Sequence, residues 1–438
     1  MYIYSQKYKI NYEINFFLYH LPFYFFLLRI QRKKTESQII HIEISNEIAI
    51  NNNKLVLHSK NKNFTEKDTI DAVQFGVKAD YNGKTGTDNR KYLQIAIDYC
   101  SRNKKVLLLP KGKILVNSYT INKGAFEHGS RLELKSNTNI VGNSSEIVVG
   151  NYFDDKPFIV FSGFNTENPD NFKTIENINI HNLTIDFNVL ESKMRSKYQL
   201  RKGIELGHCI NAKIEKCIFK NGDITCAIAS GYGSKNINTN VQIFNNQFLN
   251  LINSDQNIDH TSVYINSSKS KVHNNRFINN NIQGKLVACA TEFHNSDCDF
   301  FNNTIEGYTR MMFLASTLSE NHLIKNLKIF NNNAKITNAV IYLWLERGTN
   351  FINILIENNN FYSTHVPNKS MLYNGTQGII ADAKDEKNTD VSNMAIRNNK
   401  INITNTVIKG RAVKYATKYK FVVINNPCTG CKDGVFYK

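Results

Sequence analysis

The sequence lacks the short motifs that identify many large enzyme classes. It contains no P-loop, no Rossmann glycine motif, no HExxH and no GxSxG, so nothing points to nucleotide, zinc-protease or serine-hydrolase chemistry. Its repeated part also lacks stretches of ten or more residues with a 3.6-residue periodicity, which excludes a helical repeat protein. Hydrophobic residues make up 41% and charged residues 21% of the chain, a balance that supports a packed core.

Acidic residues are scarce relative to basic ones. The 438 residues include 37 Asp and Glu against 54 Lys and Arg, a formal net charge of +17. Such a surface favours an anionic partner: an acidic polysaccharide, a nucleic acid or a membrane surface. The basic residues are scattered, with residues 32–34 as the longest purely basic run, and no nucleic-acid module is recognisable. We therefore expect an acidic polysaccharide or oligosaccharide as the partner and no nucleic acid.

Cysteines at zinc-site spacing are missing as well. Five of the eight cysteines fall in the repeats described below, where small apolar side chains stack well. Cys428 and Cys431 form a lone CxxC pair without a second pair to complete a zinc site. The sequence predicts no metal and no cofactor, and leaves open a disulfide in the tail. The oligomeric state stays open too.

The first 66 residues differ from the rest. Residues 14–30 are mostly apolar but are interrupted by Pro22, and they are short for a spanning helix, which needs about 20 residues. We interpret residues 1–34 as a signal or a membrane anchor, although no A-x-A-like cleavage site follows. Residues 35–66 resemble a polar linker, and 67–438 form the main domain. Secretion or a place in the cell envelope is expected.

One short phrase, of the type "NVQIFNNQF", returns eight times. Its first asparagine falls at 182, 245, 274, 302, 331, 358 and 398, with Lys216 replacing it in one copy, at steps of 34, 29, 29, 28, 29, 27 and 40 residues. The residue two before it is Ile180, Ile214, Ile243, Val272, Phe300, Ile329, Ile356 or Ile396, and the residue three after it is Ile185, Phe219, Phe248, Phe277, Ile305, Ala334, Phe361 or Ile401. A fixed period of this size is the signature of a solenoid.

The repeat predicts an all-β fold, a single-stranded right-handed parallel β-helix with about 28–29 residues in each turn of the coil, here called a rung. Short β-branched and aromatic runs between Asn, Gly and Ser are typical of strands and bends. Parallel crossovers are almost always right-handed. Asparagine tolerates left-handed backbone, so it suits a tight bend, and stacked asparagines can bond to one another along the axis.

Residues 71–116 predict how the coil begins. "AVQFGV" is predicted to be a strand, and Thr87 is predicted to cap an amphipathic helix over residues 87–102 that covers the first rung. The segment resembles the start of the pectate-lyase-like β-helix superfamily, the rhamnogalacturonase or epimerase-like pectate lyase type. The matching residues are Phe75, Gly76, Gly86, Thr87, Asp88, Gln94, Ala96, Ile97, Pro110 and Gly112. The resemblance implies a β-helix acting on polysaccharide, without choosing among hydrolase, lyase and epimerase chemistry.

A first candidate site comes from counting back along the chain in each repeat. The count starts at the apolar residue two positions before the first asparagine, which we call the apolar anchor. Six residues back are His208, Asn266 and His294, and two further back are Tyr264 and Glu292. Alternation along a strand places these side chains on one outer surface. A carboxylate, two imidazoles and a phenol there form a candidate acid–base constellation, in which a crowded Glu292 is expected to have a raised pKa. The alternative is a solvated sheet face with no function.

A second candidate is "NGDITCAIASG", residues 221–231, which resembles the "GDDCIAIKSG" segment of polygalacturonase-like hydrolases. The resemblance implies a catalytic role for Asp223, although Ile224 replaces the family's second aspartate. The segment "DHTSVYI" stands nearest to that family's Gly-His-Gly and supplies Asp259 as a candidate catalytic residue and His260 as a candidate substrate ligand. Asp223 capping a turn is the structural alternative.

Further candidates for substrate binding lie later in the chain. "IYLWLERG" contains the only tryptophan, Trp344, followed by Glu346 and Arg347. Facing outward, Trp344 would stack on a sugar and Glu346 would add a carboxylate; facing inward, Trp344 would be core, as its apolar run favours. Arg310 is a candidate for binding a substrate carboxylate.

The candidates point to a polysaccharide-active protein. The first hypothesis is a glycoside hydrolase or polysaccharide lyase acting on an acidic polymer in a surface groove. The alternative is a protein that binds glycans, or assembles exopolysaccharide or capsule, through the same groove. Paired carboxylates in the groove would favour the enzyme.

Overall fold

The computed structural model divides the chain into two compact units, Met1–Lys67 and Asp68–Lys438. The structure describes residues 28–30, 42–44, 47–51, 54–58, 68–122, 128–150, 158–163, 174–189, 201–231, 240–252, 260–280, 288–315, 323–337, 340–345, 349–363, 377–383, 390–403, 411–415, 421–431 and 435–437. In the first unit β1 (Leu28–Ile30) pairs antiparallel with β2 (Ile42–Ile44), and β3 (Glu47–Asn51) with β4 (Lys54–His58). Among these described residues, no helix is long and apolar enough to cross a membrane. The rest of the predicted signal or anchor lies outside them.

The second unit is the predicted right-handed parallel β-helix. Each rung has three strands, which build three faces. Face A contains β5 (Thr69–Asp71), β6 (Val106–Leu108), β14 (Cys209–Glu215), β17 (Val241–Phe244), β20 (Lys271–His273), β23 (Asp299–Phe301), β26 (Leu323–Phe330), β29 (Asn350–Glu357), β32 (Asp390–Arg397) and β35 (Phe421–Ile424). Face B contains β7 (Gly112–Val116), β15 (Ile218–Asp223), β18 (Gln247–Ile252), β21 (Arg276–Ile278), β24 (Thr304–Tyr308), β27 (Asn333–Ile336), β30 (Asn360–Ser363), β33 (Lys400–Ile403) and β36 (Cys428–Thr429).

Two long strands, β10 (Asn139–Val149) and β12 (Ile175–Val189), bend and contribute to both faces A and B. Face C is a separate twelve-stranded sheet. It contains β8 (Thr120–Asn122), β9 (His128–Glu133), β11 (Phe158–Ser162), β13 (Arg201–Glu205), β16 (Cys226–Ser230), β19 (His260–Ile265), β22 (Ala288–Phe293), β25 (Arg310–Ala315), β28 (Ile341–Leu345), β31 (Gln377–Ala383), β34 (Arg411–Tyr415) and β37 (Val435–Tyr437). Only β8 with β9 is antiparallel among the described pairings of the coil.

The two apolar columns predicted from the repeat run through the inside of the coil. Ile214, Ile243 and Val272 are paired rung to rung on face A, and all three are fully buried. On face B the rings of Phe219, Phe248 and Phe277 stack with centroids 5.2 Å and 4.6 Å apart. Burying such side chains contributes about 1.5–3 kcal/mol each relative to exposure. The columns therefore supply much of the stabilisation of the coil.

The two asparagines of the repeated phrase have different roles. The first one bends the chain between faces A and B and has left-handed backbone in every copy, with φ between 55° and 57° at 182, 245, 274, 302, 331, 358 and 398. Lys216 adopts the same conformation, with φ 53°. Asparagine lowers the steric cost of this conformation. The predicted bend is confirmed.

The second asparagine forms a buried ladder. In Asn275, the backbone N–H and Nδ2 donate to Oδ1 of Asn303 at 3.0 Å and 3.1 Å, and Nδ2 also donates to the carbonyl of Ile243 at 2.9 Å. The pattern repeats at Asn246, Asn275, Asn303, Asn332, Asn359 and Asn399. From Asn246 onward each bend is thus bonded to the next one, which satisfies polar groups that the bends remove from water.

A second row of bends, which the sequence analysis missed, lies five residues before the first row. Asn177, Asn211, Asn240, Asn326, Asn353 and Asn393 also have positive φ. Their side chains bond along the surface, as from Asn353 Nδ2 to Asn326 Oδ1 at 3.0 Å. The spacing of five residues between the two rows was the available signal.

The helix α1 (Arg90–Arg102) covers the N-terminal end of the coil, as predicted. Leu93, Ala96, Ile97 and Cys100 on its inner side belong to the core. Thr87 does not cap it, because its hydroxyl donates instead to Asp80 Oδ2 at 2.7 Å. The N-cap is Asn89, whose buried side chain bonds to the backbone of Lys78 and Leu115 and so ties α1 to the coil. The predicted strand "AVQFGV" is also wrong: residues Ala72–Phe75 form a 3₁₀ turn after β5.

The cysteines follow their predicted roles. The five in the repeats, Cys209, Cys217, Cys226, Cys289 and Cys298, are all buried and are not joined in disulfides with the other described cysteines, and Cys428 forms a disulfide with Cys431.

Replacing Asn303 by alanine removes one member of the buried ladder. The change leaves the Asn275 amide donors and the Val272 carbonyl without their partners. Each buried polar group left unpaired costs about 1–3 kcal/mol, so we expect a loss of about 3 kcal/mol in the free energy of unfolding, measured by denaturant titration. The exposed Asn333→Ala is the control and should change it by less than about 0.5 kcal/mol. Equal effects of the two changes would contradict the ladder.

A second prediction concerns a row of rings outside face A. His273 stacks between Phe244 and Phe301, with centroids 5.0 Å and 4.6 Å away, and burial lowers the pKa of His273 to about 4. The unfolded chain, with an ordinary histidine pKa near 6.5, then binds this proton more tightly. The native state therefore loses stability as the pH falls from about 6.5 to about 4.

His273→Phe should remove this contribution. The free energy of unfolding of the variant, relative to the unaltered protein, should rise as the pH is lowered from 7 to 4. A difference that stays constant over this range would show that the imidazole is not held neutral by the stack.

Candidate active site

The candidate site lies on the outer side of face C. Tyr264 of β19 is paired directly with Glu292 of β22, as the sequence predicted, and the same row continues to Phe313 of β25 and Tyr342 of β28. The inner side carries Val263, Ile265 and their counterparts in the core. Strand pairing alone therefore brings a phenol, a carboxylate and two further rings into one line, about 4.8 Å apart from strand to strand.

Glu292 is the centre of this line. Its Oε2 lies 3.0 Å from His294 Nε2, and its Oε1 accepts a hydrogen bond from the Thr261 hydroxyl. Burial alone would raise the pKa of Glu292, but the bond and charge of His294, the Thr261 bond and the charge of Arg310 together lower it. The carboxylate is therefore ionised at neutral pH, and the expected raised pKa is not found.

His294 is held from both sides. Its Nδ1 lies 2.8 Å from the carbonyl oxygen of Ala315, and its ring lies beside Tyr264, with centroids 4.5 Å apart, and edge-on to Phe313 at 6.4 Å. The side chain is 5% exposed. The imidazole has little freedom to leave Glu292.

An aromatic cluster adjoins Glu292 towards the C-terminal end of the coil. Phe313 and Tyr342 stack with centroids 5.6 Å apart, and Trp344 lies 5.7 Å from Tyr342, in a cluster separate from the core. The expectation that Trp344 belongs to the core is wrong. The guanidinium of Arg310 lies 5.8 Å from the Phe313 ring centroid and 5.6 Å from that of Tyr342, within the range of cation–π attraction.

A polar cluster that the sequence analysis missed adjoins the site on the other side. Lys202 and Glu205 of β13 form a buried ion pair, and Glu205 also accepts a bond from the backbone N–H of Gly207 at 3.1 Å. Cys226 of β16 lies near both charges and near Glu292, and burial raises the pKa of its thiol to about 12. The sequence carried no signal for this pair, because strict alternation would place residues 202 and 205, three positions apart, on opposite sides of a strand.

Two predicted histidines lie elsewhere. His208 does not stand in the predicted row with Asn266 and His294. Strand pairing places Gly207 level with Gly231 and Asn266 instead, and β16 lies between β13 and β19. Counting back from the apolar anchor fails here because the connections between face C and face A differ in length.

His260 lies inside the coil rather than on the outer surface. It is fully buried, its Nδ1 lies 2.7 Å from the Ile224 carbonyl, and its Nε2 lies 2.8 Å from the Ser262 hydroxyl. Burial lowers the pKa of His260 to about 4. A side chain placed in this way does not face a substrate.

The remaining candidates bear on whether Glu292 has a partner carboxylate. Asp223 ends β15 on face B, two rungs before Glu292, or about 10 Å along the axis. Glu205 is three rungs away, about 14 Å. Asp259, Glu346 and Arg347 lie outside the described residues. The described residues therefore bring one carboxylate to this point, and they hold no cluster of three or more potential metal ligands.

Comparison with solved structures agrees with this architecture. The chain matches the tailspike protein of E. coli bacteriophage HK620 in complex with a pentasaccharide, with a TM-score of 0.66 and 24% identity over 84% of this chain and 65% of that one. A point mutant of the same tailspike, also in complex with a pentasaccharide, matches with a TM-score of 0.68 and 23% identity. The chain has the parallel β-helix fold of these tailspikes. At this identity the likeness establishes the fold alone.

The chain spans 65% of the length of the first of these tailspike chains, while 84% of its own residues are matched. No family model matches the sequence. No curated relative matches it either.

Proposed function

We propose that the outer side of face C binds a polysaccharide and that the protein is a glycoside hydrolase or polysaccharide lyase acting on an acidic, uronate-containing polymer. The observation that carries the proposal is the line of Tyr264, Glu292, Phe313 and Tyr342 on consecutive rungs, with His294 bonded to Glu292. Tyr264, Glu292 and Phe313 are partly exposed, so a linear polymer lying along the line can meet one of them on each of three consecutive rungs, whereas Tyr342 is buried.

The dimensions suit an oligosaccharide. From the Lys202–Glu205 pair of β13 to Trp344 of β28 there are five strand spacings, about 24 Å. Phe313 and Trp344, which are partly exposed beside the buried Tyr342, offer apolar ring surface for stacking on sugars, while the partly exposed Glu292 offers hydrogen bonds. Sites that combine apolar rings with a few placed polar groups are typical of ligand recognition.

Relatives in fold support a saccharide ligand. The tailspikes matched above were solved in complex with a pentasaccharide. The residues at 75–112 that resemble the pectate-lyase-like superfamily point to the same class of ligand. The net charge of +17 and Arg310 beside the aromatic cluster support an acidic polymer. A polymer of this kind is met outside the cell or in its envelope, which is where we propose that the protein acts.

The ionised state of Glu292 decides its role in the proposed reaction. A carboxylate held ionised at neutral pH serves as a base, as a nucleophile or as a stabiliser of positive charge, and not as the initial proton donor. In the proposed complex, Arg310 binds a substrate carboxylate, and Tyr264 and Trp344 contact neighbouring sugars.

One observation favours a binding protein instead. Glycoside hydrolysis generally uses two carboxylates, about 5–9.5 Å apart, and the described residues bring only Glu292 to this point. The alternative function is therefore non-catalytic glycan binding, or assembly of exopolysaccharide or capsule, on the same surface. Asp259, which directly precedes β19, is our candidate for the second carboxylate of an enzyme.

A screen of acidic polysaccharides tests the enzyme against the binding protein. New reducing ends without absorbance from unsaturated products would identify a hydrolase, and both together a lyase. Binding without either product would support the alternative.

Glu292→Gln keeps the shape of the side chain and removes its charge. On a polymer that the protein cleaves, we expect turnover to fall at least about a hundredfold, the usual lower contribution of a positioned acid or base. The exposed Glu306→Gln on face B is the matched control and should keep full activity. Less than a threefold loss in a folded Glu292→Gln protein would move the reaction centre elsewhere.

Retention of the protein on an immobilised uronate polymer should weaken as the salt concentration rises. Exposed charges are screened over about 8 Å at physiological ionic strength. Equal binding of neutral glucans, without salt dependence, would refute the preference for an acidic polymer.

Trp344→Ala should lower glycan affinity about tenfold or more by removing ring surface next to Tyr342. The control Tyr362→Ala removes a half-buried ring from the outer side of face B. Affinities measured by calorimetry should separate the two variants. Equal affinities would exclude the aromatic cluster from the binding surface.

A further inference from the structure

The environment of His294 contains a conflict of hydrogen-bonding partners. The Ala315 carbonyl oxygen opposite Nδ1, at 2.8 Å, is an acceptor and never a donor. Glu292 Oε2 opposite Nε2, at 3.0 Å, is also an acceptor when the carboxylate is ionised. A neutral imidazole carries one N–H and has one nitrogen that only accepts. It can therefore satisfy one of these two contacts and not both.

At 3.0 Å no third group fits between Nε2 and Oε2, so the hydrogen of this contact must belong to one of the two residues. The Thr261 hydroxyl already donates to the other oxygen, Oε1, of Glu292. Tyr264 and Phe313 contact His294 through their rings. Both short contacts of the imidazole are satisfied only when a proton lies between Nε2 and Oε2 in addition to the one on Nδ1.

We infer that Glu292 and His294 hold this additional proton as a pair at neutral pH, with His294 as an imidazolium and Glu292 as a carboxylate. The other charged groups near the pair agree with this assignment. Arg310 of β25 is a permanent cation that favours a negative Glu292, and Lys202 and Glu205 of β13 offset each other. The Cys226 thiol of β16, with its pKa raised to about 12, adds no charge.

The consequence for the reaction rests on the proposed function. His294 acts through Glu292 and is a positioning residue: its two N–H groups fix the imidazole to the Ala315 carbonyl and hold the carboxylate in place and ionised.

The experiment is nitrogen NMR of the full chain labelled with ¹⁵N at its 11 histidines, with His294→Gln used to assign the signal. At pH 7 both ring nitrogens of His294 should carry a proton. His260 and His273 serve as neutral internal references, because the pKa of each is lowered to about 4. One protonated ring nitrogen in His294 at pH 7 would overturn the inference.

Glu292→Gln supplies the matched comparison. Its amide NH₂ can donate to Nε2, so the additional proton is no longer needed, and His294 should lose one of its two N–H signals at pH 7. An unchanged doubly protonated ring in a folded variant would also overturn the inference. Since neither measurement uses a substrate, a failed polysaccharide screen would count against the proposed function alone, and a neutral His294 against the proton pair alone.

Discussion

Stacking of successive rungs at one strand spacing is the constraint on which the rest of this structure depends. Each rung must return its strands to the same three faces, so each bend must recur at the same place. The two asparagines of the repeated phrase meet this requirement together, because the first accepts left-handed backbone and the second bonds to its counterpart in the next rung. The apolar columns can stay in register only because these bends do.

The candidate site follows from the same constraint. Tyr264 and Glu292 are neighbours because their strands are paired, without help from any long loop. The sheet also explains why Glu292 is ionised although it is largely buried. Thr261 on the preceding rung and His294 two positions later each form a hydrogen bond with one oxygen of its carboxylate. Their combined effect on the pKa exceeds that of burial. The aromatic cluster and the Lys202–Glu205 pair extend this line in opposite directions, one apolar and one ionic.

Prediction from sequence succeeded where rungs are joined by connections of equal length. The columns through Ile214 and Phe219 and the pairing of Tyr264 with Glu292 all involve constant offsets from the repeated phrase. His208 was misplaced because the connections that lead back to face A vary in length. His260 was chosen through a resemblance to a family segment, which does not show the side of the strand on which it lies. Residues 261–264 depart from strict alternation: Ser262 and Val263 are both fully buried, while Thr261 bonds to Glu292 on the outside. Trp344 was assigned to the core because an apolar run does not show which side of a strand each residue occupies.

The sequence by itself determined the solenoid, its period, the residues of two inner columns and the end covered by a helix. These features are local or strictly periodic, so spacing along the chain is enough to reveal them. Only the tertiary structure decided the composition of the outer surface of face C, the ionised state of Glu292 and the placing of His294 between two acceptors. Those properties depend on contacts between rungs. Which side chains meet there is set by the lengths of the connecting segments, and these lengths follow no period.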